Sequence, residues 1–203
     1  MFSAQICSHP GCNSYVSPPF DTCFHHSDSR ERKIILGNLE KILSQKKNIK
    51  DITIVGGDFE NVNVRERRLT ASNFAFSTFT GCDFSSCDMY TCFFDMCIFI
   101  NCRFDNLEAS YSIFSGSDLR GCSFTGSSLI NCNFMGIDSV GNDFSHSDLY
   151  FSNFSMSKIF NTSFDDCNLK RVNFRASAIK NVSFRYSNPE EAFFKDEVED
   201  VMS

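Results

Sequence analysis

The sequence predicts an all-β solenoid whose chain turns every five residues, and three observations point there. From Ile54 to Phe184 every fifth residue falls on one large or apolar register, running Phe59, Val64, Leu69, Phe74, Phe79, Phe84, Met89, Phe94, Phe99, Phe104 and onward, with only Ala109 and Ser139 small. Two residues before each of these lies a second, small series that contains Cys82, Cys87, Cys92, Cys97, Cys102, Ser112, Ser117, Cys122, Cys132, Ser152 and Cys167. A period of five fits neither the 3.6 of a helix nor the 2 of a strand, so neither regular element keeps both series facing inward.

The third observation is a longer period inside the short one. Phe74, Phe94, Phe114, Phe134, Phe154 and Phe174 form one column of a twenty-residue repeat, and Phe84, Phe104, Phe124, Phe144, Phe164 and Phe184 form another. Four pentapeptides then close one coil, with rings from alternate faces filling each layer and Leu, Ile and Met filling the rest. The skewed composition, 24 Phe with no Trp, is what such a repeat produces. Each buried ring contributes roughly 1.5–3 kcal/mol before entropy costs.

Asn73-Phe74, Asp83-Phe84, Asp118-Leu119, Asp143-Phe144, Asp148-Leu149 and Asn173-Phe174 fit the A-(D/N)-(L/F)-x-x signature. On these pairs the chain resembles the pentapeptide-repeat family over about two thirds of its length. The resemblance implies a right-handed, four-sided parallel β-helix with coils about 4.8 Å apart. Where Phe93, Ile98, Arg103, Glu108 and Ile113 replace the usual Asp or Asn, irregular turns are expected.

The expected organisation has four parts: a small zinc module over 1–27, a linking and capping helix over 28–50, the β-helix over 51–187, and an acidic capping helix or tail over 188–203. All four prolines, at 10, 18, 19 and 189, fall outside the repeat. That agrees with a ladder that needs its backbone donors. Asp28 with Glu31 forms a capping box ahead of Ile35, Leu39, Ile42 and Leu43 at helical spacing, which predicts a helix around 29–47. Asn188-Pro189 opens a second candidate helix with Phe194, Val198 and Val201 on one face. Both helices cover solenoid ends that otherwise expose unpaired edges, the alternative being a homodimer through the C-terminal end.

Cys7, Cys12 and Cys23 stand apart from the ladder and lie close to histidine. Thiolate and imidazole are the ligands of structural zinc, and Pro10-Gly11 supplies a tight turn, so Cys7, Cys12, Cys23 and His26 are the candidate Zn²⁺ ligands. His25 and His9 are alternatives for the fourth, and three unliganded cysteines are the bland reading. The eight ladder cysteines are expected to be compact packing residues.

No P-loop, GxSxG or HExxH is present, so no enzymatic activity is expected. His146, in an outward phase with no assigned partner, is expected to be a solvated surface residue. The start lacks a charged n-region and an h-region, and no apolar run reaches a bilayer span, which leads to the expectation of a cytoplasmic chain with reduced thiols and no membrane contact.

Two outer faces collect Asp83, Asp88, Asp105, Glu108, Asp143, Asp148, Asp165 and Asp166. The other two present Phe76, Phe93, Met96, Ile98, Ile100, Met135, Val140, Met156 and Phe160, a candidate surface for a protein partner unless irregular turns fold some of them inward. The leading expectation is a non-enzymatic interaction scaffold or adaptor. The resemblance implies a second one, since some family members mimic duplex DNA and bind type II topoisomerases such as DNA gyrase through an acidic rod. Direct nucleic-acid binding by Arg30, Arg32, Lys33, Lys41, Lys46, Lys47 and Lys50 is not expected, because these suit the solvated face of a helix. The segment 185–203 carries two basic against six acidic residues, and the bland expectation for it is that it neutralises the basic last coils at Lys158, Lys170, Arg171, Arg175, Lys180 and Arg185.

Overall fold

A computed structural model describes residues 5–17 and 19–194. Its main body is a four-sided parallel β-solenoid. We number the faces by their central columns: face 1 on Phe74, face 2 on Phe79, face 3 on Phe84, face 4 on Met89. Face 2 is a seven-stranded sheet from Asp58–Glu60 to Ala178–Lys180, and face 4 is a five-stranded sheet from Asn48–Lys50 to Ser128–Ile130. Every pair is parallel with partners twenty residues apart, as in Phe79 with Phe99 and Leu69 with Met89. Faces 1 and 3 are joined by single bridges, among them Asn73 with Phe93 and Asp83 with Arg103.

The two phenylalanine columns build the core. Successive rings stack nearly flat, with Phe104 and Phe124 centroids 4.5 Å apart at 4° and Phe114 and Phe134 at 4.9 Å and 6°. Across the layer the columns meet edge to face, as Phe114 does with Phe124 at 6.4 Å and 87°. Both are favoured ring geometries and add about 0.5–1.5 kcal/mol per pair beyond burial.

The corners need a left-handed backbone. The second residue after each central position has positive φ, from Asp51 to Tyr186, and glycine or asparagine occupies many of these sites. Gly81 shows a second reason for glycine, since a Cβ there would stand 2.5 Å from Asn61 Oδ1 in the preceding coil.

The expected irregular turns do not occur. Phe93, Arg103 and Ile113 sit in unbroken bridges, and the corners at Met96, Asn101, Asn106 and Tyr111 keep φ between 52° and 56°. Turn geometry survives because neighbouring coils supply the backbone bonds. The signature Asp or Asn adds only a local one, as when Asn73 Oδ1 accepts the Ala75 amide at 2.9 Å.

The N-terminal helix α1 spans Ser29–Gln45 with the expected capping box, in which Asp28 accepts from the Arg30 and Glu31 amides while Glu31 accepts from Asp28. Ile35, Leu39 and Leu43 are buried in one cluster with Ile49, Ile54 and Phe59, so α1 closes that end of the rod. Arg67 occupies an inward position where later coils carry Cys, Leu or Ser, and its guanidinium donates to the Ser44 carbonyl at the end of α1 (2.6 Å).

The other end differs from expectation. Among the described residues a 3-10 turn, Pro189–Glu191, stands where a helix was expected to start at Asn188. Pro189 falls on the face 4 column, twenty residues after Leu169, where it has no amide for the ladder. The chain then regains register: Phe193 bridges Asn173 and Phe194 stacks on Phe174 at 5.1 Å. The ladder therefore extends from Asn48 to Phe194, beyond the expected 51–187 at both ends. Val198 and Val201 lie outside the described residues.

Candidate metal centre and outer faces

Residues 5–27 fold back on themselves. An antiparallel bridge joins Ile6 to Tyr15, and the Cys12 amide closes the turn through Pro10-Gly11 by donating to the His9 carbonyl at 3.1 Å. This brings Cys7, Cys12, Cys23 and His26 together, with all four ligand atoms within 4.8 Å of one another. Cys12 Sγ is 3.9 Å from Cys23 Sγ, and His26 Nδ1 is 3.6 Å from Cys7 Sγ and 3.4 Å from Cys23 Sγ. Bond lengths of about 2.3 Å to sulfur and 2.0–2.1 Å to nitrogen in a tetrahedron require S···S near ~3.8 Å and S···N near ~3.6 Å. The donor set fits a tetrahedral ion.

The surroundings favour the ligand protonation state at His26 and Cys12 but not at Cys23, whose pKa burial raises. Burial, then the neighbouring His9 and His25, lower the His26 pKa, and the Ser14 amide lowers that of Cys12. The Cys23 amide donates to Cys7 Sγ at 3.2 Å. His9, an alternative ligand from the spacing, stacks flat on His26 at 3.8 Å, while His25 is exposed and meets the His26 ring edge-on. Arg32 of α1 ties the unit to the rod cap, donating to the Phe24 and His25 carbonyls at 3.1 and 2.5 Å.

The ladder cysteines are buried, as expected, but do more than fill space. The thiols of Cys97 and Cys102 point at the carbonyls of Phe74 and Phe79, twenty-three residues earlier, at 3.1 and 3.3 Å. Serines at the same phase make this bond and a second, so that Ser117 Oγ donates to the Phe94 carbonyl (2.8 Å) and accepts the Cys97 amide (3.0 Å). Asn142 does likewise, spanning the Cys122 amide and the Leu119 carbonyl, and its amino group also reaches Ser139, whose small side chain leaves room. The signal was in the sequence: residues of this column are mostly hydrogen-bond donors and rarely alanine.

On the outside, the corner and flank residues of faces 1 and 2 are exposed. Phe93 and Ile98, whose exposure distinguishes the two readings of this surface, are 38% and 41% exposed, and Met96 is 53%. Phe76, Met135, Val140 and Met156 are also exposed, whereas Ile100 and Phe160 are half-buried. Face 4 is less purely acidic than its Asp and Glu suggested. Tyr90, Tyr111 and Phe151 are exposed where it meets face 1, and the two tyrosine rings pack edge-on at 5.8 Å. Several carboxylates of the acidic faces are locally paired, Asp83 with Arg65, Asp88 with Arg68 and Asp105 with Arg103. His146 does have a partner, Asp166 in the next coil at 2.8 Å, on an open corner rather than in a cleft.

A parallel solenoid with a twenty-residue register, a phenylalanine-stacked interior and left-handed corners defines the class of four-sided β-helical repeat proteins. Residues 58–95 and 97–136 are pentapeptide repeats: the family description "Pentapeptide repeats" matches them in eight copies. Its fold is similar to that of QnrB1, a plasmid-mediated fluoroquinolone resistance protein, with a TM-score of 0.51 and 15% identity over 69% of this chain and 90% of that one. HetL from Nostoc sp. strain PCC 7120, involved in heterocyst differentiation regulation, aligns over 78% of this chain and 96% of its own at 12% identity, with a TM-score of 0.35. No curated protein sequence matches. Among the described residues no helix is long and apolar enough to cross a membrane.

Proposed function

We propose that this chain is a non-enzymatic interaction scaffold in which the rod displays an apolar partner-binding surface over the coils from Phe76 to Ile113. The observation that carries this reading is the placement of Phe76 and Met96 at corners with φ of 59° and 56°. Left-handed backbone costs an ordinary side chain roughly 1–2 kcal/mol, and glycine holds the equivalent corner at Gly56, Gly116 and Gly136. Large apolar groups are kept there against both strain and exposure, beside Phe93 and Ile98. Contiguous exposed apolar surface of this kind marks protein interaction sites.

Cys7, Cys12, Cys23 and His26 in this reading hold a structural Zn²⁺. Four protein donors leave no open position for a substrate or an activated water. The ion fixes the 5–27 unit on α1 and stiffens the cap of the rod.

The test is quantitative affinity capture with the full chain against Phe93→Asp/Met96→Asp. Loss of the same captured protein from the double variant, with unchanged thermal stability, supports the surface; undiminished capture refutes it. The duplex-mimic alternative predicts that purified full chain inhibits or protects DNA gyrase in a supercoiling assay. The local ion pairs on the acidic faces weigh against it, since a mimic relies on unneutralised negative charge.

A further inference from the structure

The outer surface of face 2 changes sign along the rod. Its first strand presents Asp58 and Glu60, its last two present Lys158 and Lys180, and all four side chains are exposed. Seven strands at about 4.8 Å make the face ~30 Å long. Between the charged ends Ile98 is 41% exposed beside the half-buried Ile100. In the coils that follow lies a hollow of about 270 Å³, lined by Asp118, Arg120, Asp138, Val140, Lys158 and Phe160.

The ladder register spaces these features symmetrically. Glu60, Ile100, Arg120, Val140 and Lys180 stand in one column. Counted from the central strand Asp118–Arg120, Ile100 and Val140 lie one coil to either side, and Glu60 and Lys180 lie three. A two-fold axis along that strand reverses the rod and preserves the column, so it sets Ile100 opposite Val140 of a second copy and Glu60 opposite its Lys180, each contact occurring twice. Pairing the rods in parallel instead sets the acidic ends against each other and the basic ends against each other. On the axis Arg120 meets its equivalent, but each guanidinium is held by both carboxylate oxygens of its own Asp118, so the like charges are neutralised within each copy.

We propose that face 2 is a self-association surface on which two copies of this chain pair face to face with their rods antiparallel. Ile98 and Ile100 of each copy enter the hollow of the other, and the Glu60–Lys180 pairs at both ends set the register. Lys158 is held by Asp138 at 3.3 Å, whereas Glu60 and Lys180 have no ion-pair partner among the described residues. An apolar centre with a charged rim is the usual anatomy of an interface, and complementary rim charges select the orientation. The pairing goes beyond the partner surface proposed above. It shares Ile98 with that surface, but its register is set by Glu60 and Lys180, which lie outside the coils from Phe76 to Ile113.

The test is sedimentation equilibrium of the full chain, with the wild type expected to rise with concentration from 23.0 kDa to twice that mass. Glu60→Lys and Lys180→Glu each place like charges at both ends, and each is expected to weaken the dimer at least about tenfold. The double variant Glu60→Lys/Lys180→Glu exchanges the charges and is expected to restore the wild-type affinity. Ile98→Asp is expected to abolish association, and raising the salt to weaken it. Phe93→Asp/Met96→Asp, the variant that tests partner capture, is expected to leave the dimer intact, so the two readings fail separately. A wild type that stays monomeric at every concentration overturns the proposal. Weakening by the single charge variants without recovery in the double one overturns the antiparallel register. A dimer that ignores Ile98→Asp and both charge variants overturns face 2 and places the contact at the ends of the rod. Thermal melts of each variant establish that the rod is intact.

Discussion

The Cys97 thiol lies 3.1 Å from the carbonyl oxygen of Phe74, one coil and three residues earlier in the chain. A buried carbonyl without a donor costs about 1–3 kcal/mol, so this contact makes a testable distinction between packing and bonding. Cys97→Ser keeps a donor and is expected to lie within about 1 kcal/mol of wild type. Cys97→Ala removes it and is expected to cost about 2 kcal/mol, read as a lower urea midpoint at unchanged slope.

The ladder thiols also set the response to alkali. Burial raises Cys92 to about 11 and Cys97, Cys132 and Cys167 to about 12, from an ordinary 9.0. Above pH 9 the unfolded chain ionises these thiols while the folded one keeps them protonated, so folding stability falls as pH rises. The contribution is complete below pH 9 and is lost progressively between about 9 and 12. Denaturation midpoints measured across that window are expected to drop, and replacing Cys92 and Cys132 by Ser is expected to flatten the slope.

Metal binding gives a third expectation. Zinc competes with protons for thiolates and imidazole, so affinity is expected to fall as pH is lowered from 7 to 5. One ion per chain should be released to a chromogenic chelator, and Cys12→Ser or His26→Ala should lower the affinity. The rod's far-UV signature should persist after removal, because its phenylalanine columns do not involve residues 5–27.

The corner at Phe76 links stability to binding. Phe76→Asn places at φ 59° a residue type already found at Asn101 and Asn161, and is expected to stabilise the rod by about 0.5–1 kcal/mol while weakening partner capture. A variant that loses stability would show that the exposed ring packs on the rod after all.

Much of this architecture could be read from residue order alone. The five- and twenty-residue periods locate Phe74 over Phe94, Asp28 with Glu31 announces α1, and the leftover cysteines locate the metal-binding geometry, because each of these depends on spacing along the chain. What escaped were relationships across coils or through the backbone. The regular turns at Phe93 and Ile113 rest on inter-coil bonds that do not depend on side-chain type. The partner of His146 lies twenty residues away on an outer corner, and the polar ties of the cysteine column look like simple packing until the preceding carbonyls are in place. Pro189 misled for a local reason: proline opens helices, but here it occupies a rung position, and the chain steps around it before Phe193 resumes the ladder.

The inward serines and cysteines reach backward, each completing backbone groups in the coil before its own. A coil is therefore finished only when the following one arrives, which gives the rod a direction of growth. That direction is the order of synthesis at the ribosome: α1 emerges before the coils and provides an apolar seed, and each new twenty residues completes the layer beneath it. The newest coil is always the one with unmet carbonyls and amides, so an arrested chain presents its reactive edge at the C-terminal end while the N-terminal end is already closed.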